Sequence, residues 1–194
     1  MNGSRKLNIL FLCTGNSCRS QMAEGWARAL KGDRIDAFSA GIEMHGLNPR
    51  AAKVMAEAGV DISGHQSKTI GMLPIQDFDF VITVCDRAHE SCPLFPGKTK
   101  VVHVGFDDPP RLAKEAKTEE EALSRYRRVR DEIKAFVETL PEGLNTRLGR
   151  DASPYPTAIE TPLALGRANP PGEPRSRLGG DASSYLKNQN QPEP

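Results

Sequence analysis

The sequence predicts an α/β domain built on a parallel sheet of four strands, and three features of the chain point to it. The run Ile9 to Leu12 is unbroken and apolar, as a central strand covered on both faces would be. Strand-like and helix-like patterns alternate from Leu7 to Leu140, the order that builds parallel sheets with right-handed crossovers. Two helix starts carry recognisable caps, Asn48-Pro49 and Thr118 with Glu121.

Taken in order, Leu7 to Leu12 is the first strand. Ser20 is the expected N-cap of the first helix, where Met22, Ala23, Trp26, Ala27 and Leu30 recur at helical spacing until Gly32. Ile35 to Ala40 reads as a second strand ending at Gly41. Asn48-Pro49 opens a second helix whose inward positions are Ala51, Val54, Met55 and Ala58, with Gly59 as its stop. Phe78 to Val84 is the third strand and Cys85 follows at once. Lys100 to Phe106 is the fourth, ended by Asp107-Asp108-Pro109-Pro110, which can continue neither strand nor helix. Ala122, Tyr126, Val129, Ile133, Phe136, Val137 and Leu140 trace one face of a long helix that stops before Pro141. The expected domain is residues 1–143. From about Asn145, Pro, Gly, Asn, Gln and Ser dominate, so residues 144–194 are expected to form a disordered tail, too polar to offset chain entropy. Within it, 147–155 is echoed by 177–185, and two copies do not make a solenoid.

Composition narrows the function. With 194 residues one domain with a real core is expected, and a net charge of +1 from 26 basic and 25 acidic residues gives no case for nucleic acid or a membrane surface. No apolar run nears the roughly 20 residues of a membrane span, and the start lacks the apolar core of a secretory signal, so a cytoplasmic protein is expected. Four cysteines are few for a disulfide scaffold and, in a reducing compartment, read as chemistry or packing.

The chemistry centres on Cys13-Thr14-Gly15-Asn16-Ser17-Cys18-Arg19-Ser20, a thiol and a guanidinium with five residues between them where a buried strand turns into a helix. Loop amides and the helix's positive end converge there, so a tetrahedral oxyanion can bind without a metal, and Arg19 adds a planar fork of donors. The same field is expected to hold the Cys13 thiol below its ordinary value. Ser20 can cap the helix, donate to the thiolate, or both. Cys18 reads as a packing thiol.

In parallel sheets the site lies beyond the carboxyl ends of the strands, where the sequence puts Cys13, Cys85 and Asp108. Asp108 suits a general acid, although a turn alone also explains an Asp before proline. Cys85 and Cys92 bracket a polar segment. As a helical turn or two it would hold the thiols about 10 Å apart, past the ~7 Å limit for a disulfide, so pairing them would require unwinding. Two unrelated packing thiols would fit the spacing as well. The four histidines, His45, His65, His89 and His103, show no ligand spacing with the cysteines, which argues against zinc; the loop also lacks the Gly-Lys-Ser/Thr ending of a nucleotide P-loop.

Cys13 to Trp26, with Ser39-Ala40-Gly41-Ile42-Glu43, His45-Gly46-Leu47-Asn48-Pro49, Gly105-Phe106-Asp107-Asp108-Pro109 and Arg128-Val129-Arg130-Asp131-Glu132-Ile133, closely resembles the thioredoxin-coupled arsenate reductases, which are built on the low-molecular-weight tyrosine phosphatase fold. The likeness covers about residues 7 to 140. It implies a three-layer, doubly wound domain and a relay of three thiols. Cys13 attacks arsenate while Arg19 and the loop Thr14 to Ser20 hold its charge, and Asp108 protonates the departing oxygen. Cys85 then attacks Cys13, releasing arsenite, and Cys92 attacks Cys85. The Cys85–Cys92 bridge goes to thioredoxin as external reductant, with no cofactor in the chain and a monomer as the working unit. A phosphatase acting on phosphate monoesters is the second enzymatic possibility and a redox sensor or adaptor the third. The chain departs from the pattern once: where relatives that bind potassium use residues matching Asn16, Glu24 and Ser39 plus an aspartate, it has Lys68. A lysine ammonium there can pair with Glu24, which implies weak or no potassium dependence; a solvated surface lysine is the alternative.

Overall fold

A computed structural model describes residues 5–95 and 97–144; of the expected tail only Leu144 is among them, and it is fully buried rather than disordered, while the rest and its internal echo fall outside. The elements are β1 (Leu7–Cys13), α1 (Arg19–Lys31), β2 (Ile35–Gly41), α2 (Pro49–Glu57), β3 (Phe80–Thr83), α3 (Asp86–Glu90), β4 (Lys100–His103), α4 (Pro109–Leu112) and α5 (Glu119–Glu138), with short 3-10 turns at Ile70–Met72 and Ala113–Glu115. The sheet is parallel throughout, in the order β2-β1-β3-β4. The expected α/β architecture is therefore present.

β1 lies centrally because Ile9, Leu10, Phe11 and Leu12 have no polar face to offer water, and all four are fully buried. From β1 the chain runs outward to β2, then returns past β1 to β3 and β4, so the winding reverses between β1 and β3. That reversal opens a crevice at the carboxyl ends of the two strands. α1 packs over β1 and β2 and against α5, whose apolar stripe (Ala122, Tyr126, Val129, Ile133, Phe136, Val137) is buried as its spacing predicts; α3 lies against β1 and β3. Among the described residues no helix is long and apolar enough to cross a membrane.

Two strands are shorter than their apolar runs. β3 starts at Phe80, with Asp79 still bonded to Asn8 and Lys100 and the Phe78 carbonyl accepting from Thr99 Oγ1 at 2.8 Å. β4 ends at His103, beyond which Val104 N donates to the Thr83 carbonyl at 2.9 Å and Phe106 N to that of Val84 at 3.4 Å. A third difference is at α1. It begins at Arg19 with Cys18 in the cap position and no side-chain cap, so Ser20 falls inside the first turn and is not the N-cap. Its hydroxyl is directed elsewhere.

The other two caps form. Asn48 Oδ1 accepts from the amides of Arg50 and Ala51, and Asn48 Nδ2 donates to the Tyr126 hydroxyl at 3.1 Å, tying the start of α2 to α5. Thr118 Oγ1 accepts from the Glu121 amide, while the Glu121 carboxylate accepts from Lys117 N. Replacing Asn48 by Ala removes a cap and a hydrogen bond between elements, together about 2 kcal/mol, against about 1 kcal/mol for Thr118→Ala. Urea unfolding followed by circular dichroism measures both; an Asn48→Ala loss no larger than that of Thr118→Ala would contradict the link to α5.

Candidate active site

The loop between β1 and α1 is shaped by its neighbour, the segment after β2. The carbonyls of Cys13, Thr14, Gly15 and Ser17 accept from the amides of Ile42, Glu43, His45 and Asn48 at 2.8 to 3.2 Å. In a planar trans peptide the C=O and the following N–H point opposite ways. Tying these carbonyls outward therefore turns the amides of Thr14, Gly15, Asn16 and Cys18 inward, and the Asn16 amide meets Cys13 Sγ at 3.1 Å. The approach leaves no room for side chains. A Cβ on Gly41 would stand 2.7 Å from Asn16 N and from the Thr14 carbonyl oxygen, and one on Gly15 would meet the His45 ring at 2.3 Å.

Asn16 is the pivot. Its φ of +44° places it in the left-handed region, costly for a residue with a side chain unless its surroundings fix it. They do: its Oδ1 accepts from Lys68 N at 2.8 Å and Gln21 Nε2 at 3.0 Å. Its Nδ2 donates to Ser20 Oγ at 3.0 Å and to Ser39 Oγ at 2.9 Å. Each serine oxygen accepts from Asn16, so each hydroxyl proton is available elsewhere. Ser20 Oγ lies 2.8 Å from Cys13 Sγ, a contact in which either atom can donate, and Ser39 donates to the Glu24 carboxylate. Glu24, almost wholly buried, also pairs with Arg28 at 2.5 Å and Lys68 Nζ at 3.4 Å.

Cys13 is 4% exposed, and burial pushes its thiol above the ordinary value, opposed by the bonds from Ser20 and the Asn16 amide. This reverses the expectation of a lowered thiol. The charge that expectation relied on is engaged elsewhere: Arg19 Nη1 donates to the Phe106 carbonyl at 2.9 Å and Nη2 pairs with Asp108 Oδ1 at 3.1 Å. Burial likewise drives the Cys18 thiol far up, as befits a packing residue.

The crevice brings Cys13, Arg19, Asp108 and Cys85 together. Cys85 is buried and its Sγ lies 3.4 Å from Thr14 Oγ1, so the second thiol touches the anion loop. α3 forms between Cys85 and Cys92, with Ala88 buried and Asp86, Arg87, Glu90 and Ser91 exposed. Cys92 is half-buried, which pushes its thiol up to about 11, and all four cysteines are unpaired thiols. Sequence reasoning missed Gln21 and Ser67, which bond Asn16 and the Gly15 carbonyl, and His65, which bonds Gln21 Oε1 at 3.0 Å. Ser67 lies 52 residues from Gly15, so no local pattern signals it.

Residues 8–152 match the family profile described as low molecular weight phosphotyrosine protein phosphatase. A curated arsenate reductase of Halalkalibacterium halodurans is 52% identical over 134 residues, 69% of this chain and 94% of that one. One of Bacillus licheniformis is 54% identical over 138 residues, 69% of this chain and 97% of that one. Among solved structures, an arsenate reductase in the oxidized state matches with a TM-score of 0.58 at 31% identity, covering 71% of this chain and 98% of that one. With the anion loop, the parallel sheet and these relatives in agreement, the chain belongs to the low molecular weight phosphotyrosine protein phosphatase family, alongside its arsenate reductases.

Proposed function

We propose that this protein reduces arsenate to arsenite through Cys13, Cys85 and Cys92, and that a thioredoxin dithiol restores it. The observation that carries the proposal is the 3.4 Å approach of Cys85 Sγ to Thr14 Oγ1, because a second thiol at the rim of an anion loop serves redox chemistry. The arsenate reductases among its relatives support the same substrate. Arsenate enters the cradle of inward amides and takes the Arg19 guanidinium from Asp108. The Cys13 thiol passes its proton to the bound arsenate as its sulfur forms an S–As bond, and one arsenate hydroxyl departs as water with a second proton from Asp108. Cys85 attacks Cys13 Sγ; an S–S bond forms, the S–As bond breaks, and its electron pair stays on arsenic, which leaves as arsenite. Cys92 attacks Cys85 Sγ and frees Cys13. The dithiol then takes up the Cys85–Cys92 bridge, supplying two electrons and two protons.

The family profile favours a second reading, hydrolysis of phosphate monoesters, for which Cys13, Arg19 and Asp108 suffice. The outer thiols separate the two. With thioredoxin, its reductase and NADPH, arsenate drives NADPH oxidation, and Cys85→Ser or Cys92→Ser each lowers repeated turnover by about 100-fold or more, as for members of one catalytic unit. Hydrolysis of p-nitrophenyl phosphate survives both changes. Repeated arsenate turnover in either variant would remove the relay.

A potassium ion does not fit the cluster of Asn16, Glu24, Ser39 and Lys68. Lys68 Nζ lies 3.4 Å from both Glu24 Oε2 and the Gln66 carbonyl, so an ammonium already neutralises the carboxylate there. Activity is therefore expected to be equal in sodium and potassium salts of matched sulfate, and Lys68→Asp to create a potassium requirement. A strong rise with potassium in the unaltered protein would refute the substitution.

A further inference from the structure

α3 is fastened to the sheet by a pair of imidazoles to which the relay assigns no task. His103 ends β4, and its Nδ1 lies 2.9 Å from Thr83 Oγ1 on β3. Its ring is stacked on that of His89, with centroids 4.4 Å apart and planes at 30°. His89 Nδ1 also reaches Thr83 Oγ1, at 3.5 Å. One hydroxyl can donate to one ring and accept from the other, so Thr83 serves both histidines at once. His103 Nε2 stands 3.3 Å from Asp86 Oδ1, a weak pairing since Asp86 is 88% exposed. Asp86 and His89 are three residues apart and share a face of α3, so His103 touches the helix at its first turn and again one turn on. Other ties of α3 among the described residues include the buried Ala88 and an exposed pair between Arg87 and Glu43.

We propose that His89 and His103 are positioning residues that latch α3 in its helical form and so set how readily Cys85 and Cys92 close into a disulfide. The inference rests on the relay proposed above. Where the segment from Cys85 to Cys92 is helical, a rise of 1.5 Å per residue sets its end α-carbons about 10 Å apart along the axis, whereas a disulfide needs them within ~7 Å. Closing the bridge therefore unwinds the segment and pulls His89 off His103 and Thr83. The ring stack and hydrogen bond broken in that step stabilise the dithiol form alone, so the latch makes the bridge easier for an outside dithiol to reduce.

The test is a redox titration of the full chain in mixtures of reduced and oxidised dithiothreitol, with acid quenching, alkylation and peptide mass mapping of the Cys85–Cys92 bridge. Each bridge formed passes two electrons and two protons to oxidised dithiothreitol. His89→Ala removes a ring stack and a hydrogen bond and raises the equilibrium constant for bridge formation about tenfold. His103→Phe keeps a ring face but has no nitrogen to bond Thr83 or Asp86, and its expected rise is smaller. Unchanged alkylation of Cys13 shows that the anion loop is intact in each variant, and His89→Ala decides alone should His103→Phe fail to fold. Constants within about twofold of the unaltered protein in a folded His89→Ala variant would overturn the latch while leaving the relay standing. A protein that forms no Cys85–Cys92 bridge at any ratio would overturn the relay, and the latch with it.

Discussion

The site depends on Asn16 being held in a left-handed conformation with its whole side chain committed. Its two amide hydrogens go to Ser20 and Ser39, and that places both hydroxyls. One lies against the Cys13 sulfur and the other donates to the buried Glu24 carboxylate. Nucleophile and buried charge are thus coupled through a single residue. Lys68 closes the circuit, donating its backbone amide to Asn16 and placing its ammonium beside Glu24.

A thiol this deeply buried has a raised proton affinity. The hydrogen bonds from Ser20 and the Asn16 amide offset part of that rise, and Arg19 is held 3.1 Å from Asp108 rather than directed at the sulfur. Under the proposed mechanism an arriving oxyanion draws the guanidinium to itself, so charge enters the cradle together with the substrate. The loop then acts by electrostatics already oriented before binding, the kind of stabilisation worth most where water is excluded. Cys85, already against Thr14, and Cys92, half-buried beyond α3, are staged outward from the same point.

Much of this was legible in the chain. The unbroken run Ile9 to Leu12 identified the central strand, because a strand with no polar face has to be covered on both sides, and Asn48-Pro49 and Thr118 with Glu121 marked two helix starts by hydrogen bonds local in sequence. The spacing from Cys13 to Arg19 located the loop. Less accessible was anything set by partners distant in sequence. The segment from Ile42 to Asn48 turns the loop amides inward, and nothing local announces it. Ser20 resembles a cap because serine often is one, yet the helix begins one residue earlier and the Ser20 hydroxyl sits against a thiol seven residues before it. The Cys13 thiol was misjudged for a similar reason, since residue order carries no measure of burial and no sign that Arg19 is engaged by Phe106 and Asp108.

The central claim is that oxidation leaves the buried nucleophile by way of two further sulfurs. Mixing the reduced protein with arsenate in the absence of any dithiol, quenching, and mapping its cysteines by mass tests this most directly. The expected result is one arsenite per chain with Cys85 and Cys92 joined and Cys13 returned to the thiol. Arsenite formed while all four cysteines stay reduced, or a bridge that includes Cys18, would contradict it.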